Sequence, residues 1–148
     1  MPLTIALAQI NPTVGDIQGN LELHRQYLAR VGDRADPSTG SGQDQVVVFP
    51  ECALPGYPAQ DLLFEKAFLR DLEEALETLA GEVKDRWVIT GTVRQEEGNL
   101  YNTAAVLHDG KVRAYRDKTL LPTYDVFDER RYFTPAAEIK PLTLTLAG

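Results

Sequence analysis

Cysteine is nearly missing from this sequence: Cys52 alone stands among 148 residues. That excludes an internal disulfide and a cysteine-rich metal centre, and leaves one thiol to be weighed as a nucleophile. Histidine is almost as rare. His24 and His108 have no ligand-like neighbours, so each is expected at the surface rather than as a metal ligand or a base. Basic residues are the minority, 15 against 22 acidic, for a net charge of −7. That balance disfavours a phosphate-backbone partner, and no nucleic acid is expected. No apolar run approaches the ~20 residues of a bilayer span. The opening Met1-Pro2-Leu3-Thr4 has no basic stretch of the kind that begins a secretion signal. A cytoplasmic protein without membrane association is the expectation.

What is there is enough chain for one ordinary domain with a sizeable core. The most informative stretch runs from Val46 to Pro58, VVVFPECALPGYP, followed by Asp61-Leu62-Leu63. Three β-branched residues and Phe49 predict a buried strand, which Pro50 ends because it has no N–H to continue a ladder. Glu51 is thereby placed at a strand end, where α/β folds keep their sites. Taken alone, its chemistry favours a solvated loop carboxylate.

The rest of the chain predicts an α/β layered pattern. Leu3 to Ile10 reads as a buried strand, ended by Asn11-Pro12 and Gly15-Asp16. Gly19 to about Val31 reads as a helix that Asn20 could cap, with His24 packed or solvated on or near its apolar face. Gly32 to Asp44 has the composition of a linker. Within it, Ser41-Gly42-Gln43-Asp44 resembles a phosphate-binding loop only in part, because the second glycine and the preceding strand are missing. Asp61 to about Leu79 predicts one helix with a leucine-rich stripe, ended or interrupted by Gly81. Trp87–Arg94, Leu100–His108 and Lys111–Arg116 predict a meander, its turns marked by Glu97-Gly98-Asn99 and Asp109-Gly110, with His108 exposed beside the second. Lys118 follows the last strand directly. Leu142, Leu144 and Leu146 alternate with Thr143 and Thr145 as in a half-buried strand, and no segment repeats.

Two segments together resemble the nitrilase, or carbon-nitrogen hydrolase, superfamily. The first is Phe49-Pro50-Glu51 with Gly56-Tyr57-Pro58 and Asp61-Leu62-Leu63; the second runs from Tyr115 to Phe133 through Lys118, Pro122-Thr123-Tyr124-Asp125-Val126-Phe127-Asp128 and Glu129. More narrowly, they are similar to the glutaminase domain of glutamine-dependent NAD synthetases, over Leu3 to about Leu146. The resemblance implies a partial α-β-β-α sandwich, in which two sheets face each other between helical layers. It also implies a Glu-Lys-Cys triad, with Glu51 as general base and Lys118 stabilising the tetrahedral intermediate. Glu129 matches a second glutamate that positions lysine and substrate, with a surface charge as the alternative. Tyr57, Tyr124 and Phe127 match residues that line a glutamine pocket, with packing into the core as the alternative.

Cys52 is not expected to be the nucleophile. On extended backbone it would point opposite to Glu51, and the family's cysteine lies far downstream, after a further strand. The resemblance therefore implies an incomplete glutaminase domain, truncated before the nucleophile strand and inactive alone. It implies glutamine as substrate and a C-terminal synthetase domain as partner, with ATP and Mg bound only there and no cofactor in this chain. An open sheet edge would favour homo-oligomers. The alternatives are an amidase, nitrilase or carbamoylase of the same superfamily, or a non-catalytic assembly module.

Overall fold

The computed structural model describes residues 3–33 and 45–145. Residues 34–44, including the Ser41–Asp44 motif, and Leu146 lie outside them. Five strands form one sheet in sequence order: β1 (Thr4–Leu7), β2 (Gln45–Val48), β3 (Trp87–Glu96), β4 (Asn99–His108) and β5 (Lys111–Asp117). The first three are parallel and the last three antiparallel. Parallel neighbours require crossovers, and α1 (Ile17–Asp33) and α2 (Lys66–Glu82) supply them. Both meander turns carry positive φ at two successive residues, Glu97-Gly98 and Asp109-Gly110, as tight hairpins require.

The core lies between the sheet and the helices. Leu72, Leu76 and Leu79 of α2 share it with Val47, Val88, Ala105 and Leu107 from three strands. Alternation along β1 and β2 turns Ala6, Ala8, Val47 and Phe49 toward the helices. The opposite set on β1 is Leu3, Ile5 and Leu7, and all three are exposed. The expected buried first strand is thus an edge strand covered on one face, because no second sheet forms among the described residues. The α/β class holds.

Several local expectations are corrected. Asp16, not Asn20, caps α1, its Oδ1 accepting the Gly19 N–H at 2.9 Å. Asn20 is instead fully buried inside the helix, bonding Thr13 N–H, Thr13 C=O and Leu54 C=O. The expected single helix from Asp61 is broken at Glu65, whose extended backbone separates a 3-10 turn (Gln60–Phe64) from α2. Gly81 is accommodated within α2, which runs to Glu82. Residues 142–145 form no strand, although Leu142 and Leu144 are half-buried.

His24 is neither exposed nor free. It is fully buried, with Nδ1 at 2.7 Å from Asn20 O, Nε2 at 2.8 Å from Thr90 Oγ1, and its ring stacked on Phe49. A ring nitrogen for each polar partner is what allows a histidine into the core. His108 is half-buried, stacked on Trp87, with Nδ1 at 2.9 Å from Arg86 O.

Candidate active site

Glu51 opens a turn that lies flat against β3, and the contact depends on Gly91. The Gly91 N–H donates to Pro50 O at 3.1 Å, and Gly91 O accepts from Leu54 N at 3.2 Å. A Cβ on Gly91 would stand 2.3 Å from Cys52 N and 2.6 Å from Glu51 Cα. No other residue type lets the turn approach so closely. Lys118 arrives just past the C-terminal end of β5, at the same end of the sheet as the end of β2, its backbone N–H bonded to Asn102 O at 2.8 Å. Glu129 enters on a 3-10 turn (Glu129–Arg131) anchored by its N–H to Pro122 O and by Phe133 N to its own carbonyl.

These three side chains meet. Lys118 Nζ donates to Glu51 Oε1 at 2.8 Å and to Glu129 Oε1 at 2.9 Å. Glu51 is half exposed at 51 %, Lys118 is 29 % exposed and Glu129 only 4 %. Burial pulls the Lys118 ammonium down, but its bonds to the two carboxylates outweigh that and hold it above the ordinary lysine range. Lys118 is therefore a fixed cation at neutral pH, suited to a developing oxyanion and unsuited to accepting a proton. Glu129 Oε2 has no hydrogen-bond partner among the described residues.

A cavity of about 340 Å³ adjoins the cluster, lined by Cys52, Tyr57, Leu63, Val93, Glu129 and Phe133 among others. Glu51 and Lys118 stand beside it rather than in its wall, linked to it through Glu129. The Tyr57 hydroxyl donates to Glu129 Oε1 at 3.0 Å. Burial, and then that bond to a carboxylate, push the Tyr57 phenol above its ordinary range. Phe127 bridges the other two aromatics, 6.3 Å from Tyr57 and 5.6 Å from Tyr124 between ring centroids. Tyr124 itself is 69 % exposed, and neither it nor Phe127 makes a wall of the cavity; of the three predicted aromatics only Tyr57 does.

Cys52 is buried, but the expected reason does not apply. Its φ of 48° places it in a left-handed turn rather than on extended backbone, so it is not turned away from Glu51's surroundings. It lines the cavity, with Sγ 3.7 Å from Asn102 Oδ1. Burial first, then the Glu51 and Glu129 carboxylates, push its thiol up to about 12 against the opposing pull of Lys118. Such a thiol supplies almost no thiolate near neutrality.

Sequence reasoning missed Asn102. It is 4 % exposed on β4, and its Nδ2 donates to Glu51 Oε1 at 2.6 Å. A polar residue on an otherwise apolar buried run, Ala104 to Leu107 following it, is the signal that could have flagged it.

Helices packed on a mixed sheet define an α/β fold, and sequence comparison assigns its family. The carbon-nitrogen hydrolase family profile matches residues 4–147, and the chain belongs to that family. Its curated relatives include the glutamine-dependent NAD(+) synthetase of Thermotoga maritima, 41 % identical over 93 % of this chain and 23 % of the relative. Among solved structures, the glutamine-dependent NAD+ synthetase of Acinetobacter baumannii superposes with a TM-score of 0.80 at 36 % identity, covering 90 % of this chain and 24 % of that one. An amidase from Nesterenkonia sp. shares the fold, with a TM-score of 0.74 at 23 % identity over 96 % of this chain and 51 % of its own. The chain thus spans about a quarter of the length of its synthetase relatives. No helix among the described residues is long and apolar enough to cross a membrane.

Proposed function

We propose that this chain carries the base and the lysine of a glutaminase that hydrolyses glutamine to glutamate and ammonia for a synthetase domain, which amidates deamido-NAD with ATP. The observation that carries the reading is Lys118 Nζ held between Glu51 and Glu129 at the edge of an aromatic-walled cavity. Glu51 is half exposed and near the cavity, so it is the group able to take a proton from an attacking thiol and later from water. Lys118 faces the oxyanion, and Glu129 holds Lys118 in place. Tyr57 and Phe127 contact the substrate side chain, with Tyr124 at the rim.

The attacking thiol comes from outside these 148 residues, since Cys52 is buried and its thiol is pushed up to about 12. On this reading the sequence is one portion of a glutaminase domain and is inactive alone, and ATP and Mg belong to the synthetase domain. Exposed Ile5 and Leu7 on β1 support self-association.

Glutamine binding tests the reading without requiring turnover. Titrating glutamine into the labelled chain should shift the Tyr57 and Phe127 ring resonances, and glutamate should do so more weakly. Equal response to both, or none at tens of millimolar, would remove glutamine as the substrate.

A further inference from the structure

We propose that Asn102 is a positioning residue that fixes the Glu51 carboxylate so that Oε1 is filled and Oε2 is the oxygen left to take a proton. The inference rests on reading Glu51 as the general base, and extends it to one atom.

Three polar groups of Asn102 reach three residues of the site. Nδ2 donates to Glu51 Oε1 at 2.6 Å, Oδ1 lies 3.7 Å from Cys52 Sγ, and the backbone carbonyl accepts the Lys118 N–H at 2.8 Å. The orientation of the amide follows from chemistry, because an ionised carboxylate only accepts and must therefore face the NH2 group. Asn102 itself is held rigidly. It is buried on β4, opposite Val93 of β3, with the next residue, Thr103, paired to Asp117 of β5.

Lys118 also donates to Oε1, at 2.8 Å, so one oxygen of Glu51 receives two donors. No hydrogen bond reaches Oε2 among the described residues. Lys118 could not set this asymmetry alone, since an ammonium on a flexible stem can turn to either oxygen. The planar, buried amide can. With Oε1 filled, a proton arriving at Oε2 breaks neither existing bond, and the site need not rearrange as Glu51 changes charge.

NMR on the 148-residue chain tests this without turnover, so a chain that releases no ammonia still gives a readable result. In the native chain Glu51 should show one side-chain rotamer, and the Asn102 Nδ2 protons should exchange at least about tenfold slower than those of an exposed asparagine. Asn102→Leu, and Asn102→Ala if leucine disturbs the fold, should average the Glu51 rotamers while the β4 backbone amides stay protected. Lys118→Met should leave the single rotamer in place. When Glu51 is protonated by acid, protection of the Asn102 side chain should persist. A Glu51 rotamer unaffected by Asn102→Leu and Asn102→Ala would overturn the proposal. So would loss of Asn102 protection on Glu51 protonation with β4 still folded, which would put the proton on Oε1.

Discussion

The Tyr57 hydroxyl donates to Glu129 Oε1 at 3.0 Å across 72 residues of sequence, joining the turn after β2 to the segment after β5. Glu129 is buried and its other oxygen has no partner, so this bond and Lys118 are what offset its desolvation. Tyr57→Phe should therefore destabilise the chain by about 1.5 kcal/mol, the low end for a bond to a charged group. Lys118→Met should cost more, roughly 3 kcal/mol, because it leaves a buried carboxylate without its cation. Urea unfolding of both variants checks the order, and equal stabilities would show that Glu129 is not held by these contacts.

Gly91→Ala should be damaging although it adds one methyl group. The new Cβ would meet backbone atoms of Glu51 and Cys52, which cannot step aside as a side-chain tip can. Overpacking of this kind costs about 1–3 kcal/mol. In a crystal structure of the variant the Glu51 turn should be lifted from β3 and the Lys118–Glu51 contact lengthened. An unmoved turn would contradict the dependence of Glu51's position on Gly91.

Cys52 should resist thiol reagents while the chain is folded. Its thiol is pushed up to about 12, chiefly by burial. At pH 8 labelling should be slow in the native protein and fast in denaturant, where the ordinary value near ~8.5 returns. Rapid, pH-dependent labelling of folded protein would mean an activated thiol.

Burial lowers the pKa of His24 despite its bond to Asn20 O. The unfolded chain therefore binds the proton more readily than the folded one, so stability rises with pH and is fully present above the unfolded value of ~6.5. As pH falls below ~6.5 that contribution should be lost, by at most ~1.4 kcal/mol per pH unit. Urea midpoints at pH 7.5 and 5.5 should differ for the native chain and converge for His24→Gln. A native midpoint flat across this window would show that His24 tolerates its proton.

The strands were legible because their signals are local. Val46–Val48 ended by Pro50, and Asp109-Gly110 between two strands, predict their elements from neighbouring residues alone. The convergence of Glu51, Lys118 and Glu129 was accessible only through the family motifs, since nothing in their spacing says that the segments following β2 and β5 meet. Asn102 and the buried His24 stayed hidden for the same reason: each is decided by a partner far away in sequence. The exposure of β1 was misread because its nearly continuous apolar run predicts two covered faces, while the described residues cover one.

The most direct measurement is ammonia release from glutamine by this chain joined to the part of the Thermotoga maritima relative that it does not cover, beside the same fusion carrying Glu51→Gln. The account predicts turnover by the fusion, a loss of at least ~100-fold in Glu51→Gln, and none from the 148-residue chain alone. Turnover unchanged by Glu51→Gln would contradict the assignment of Glu51 as the base. Turnover by the isolated chain that disappears with Glu51→Gln would contradict the external nucleophile and return Cys52 or water as the attacking group.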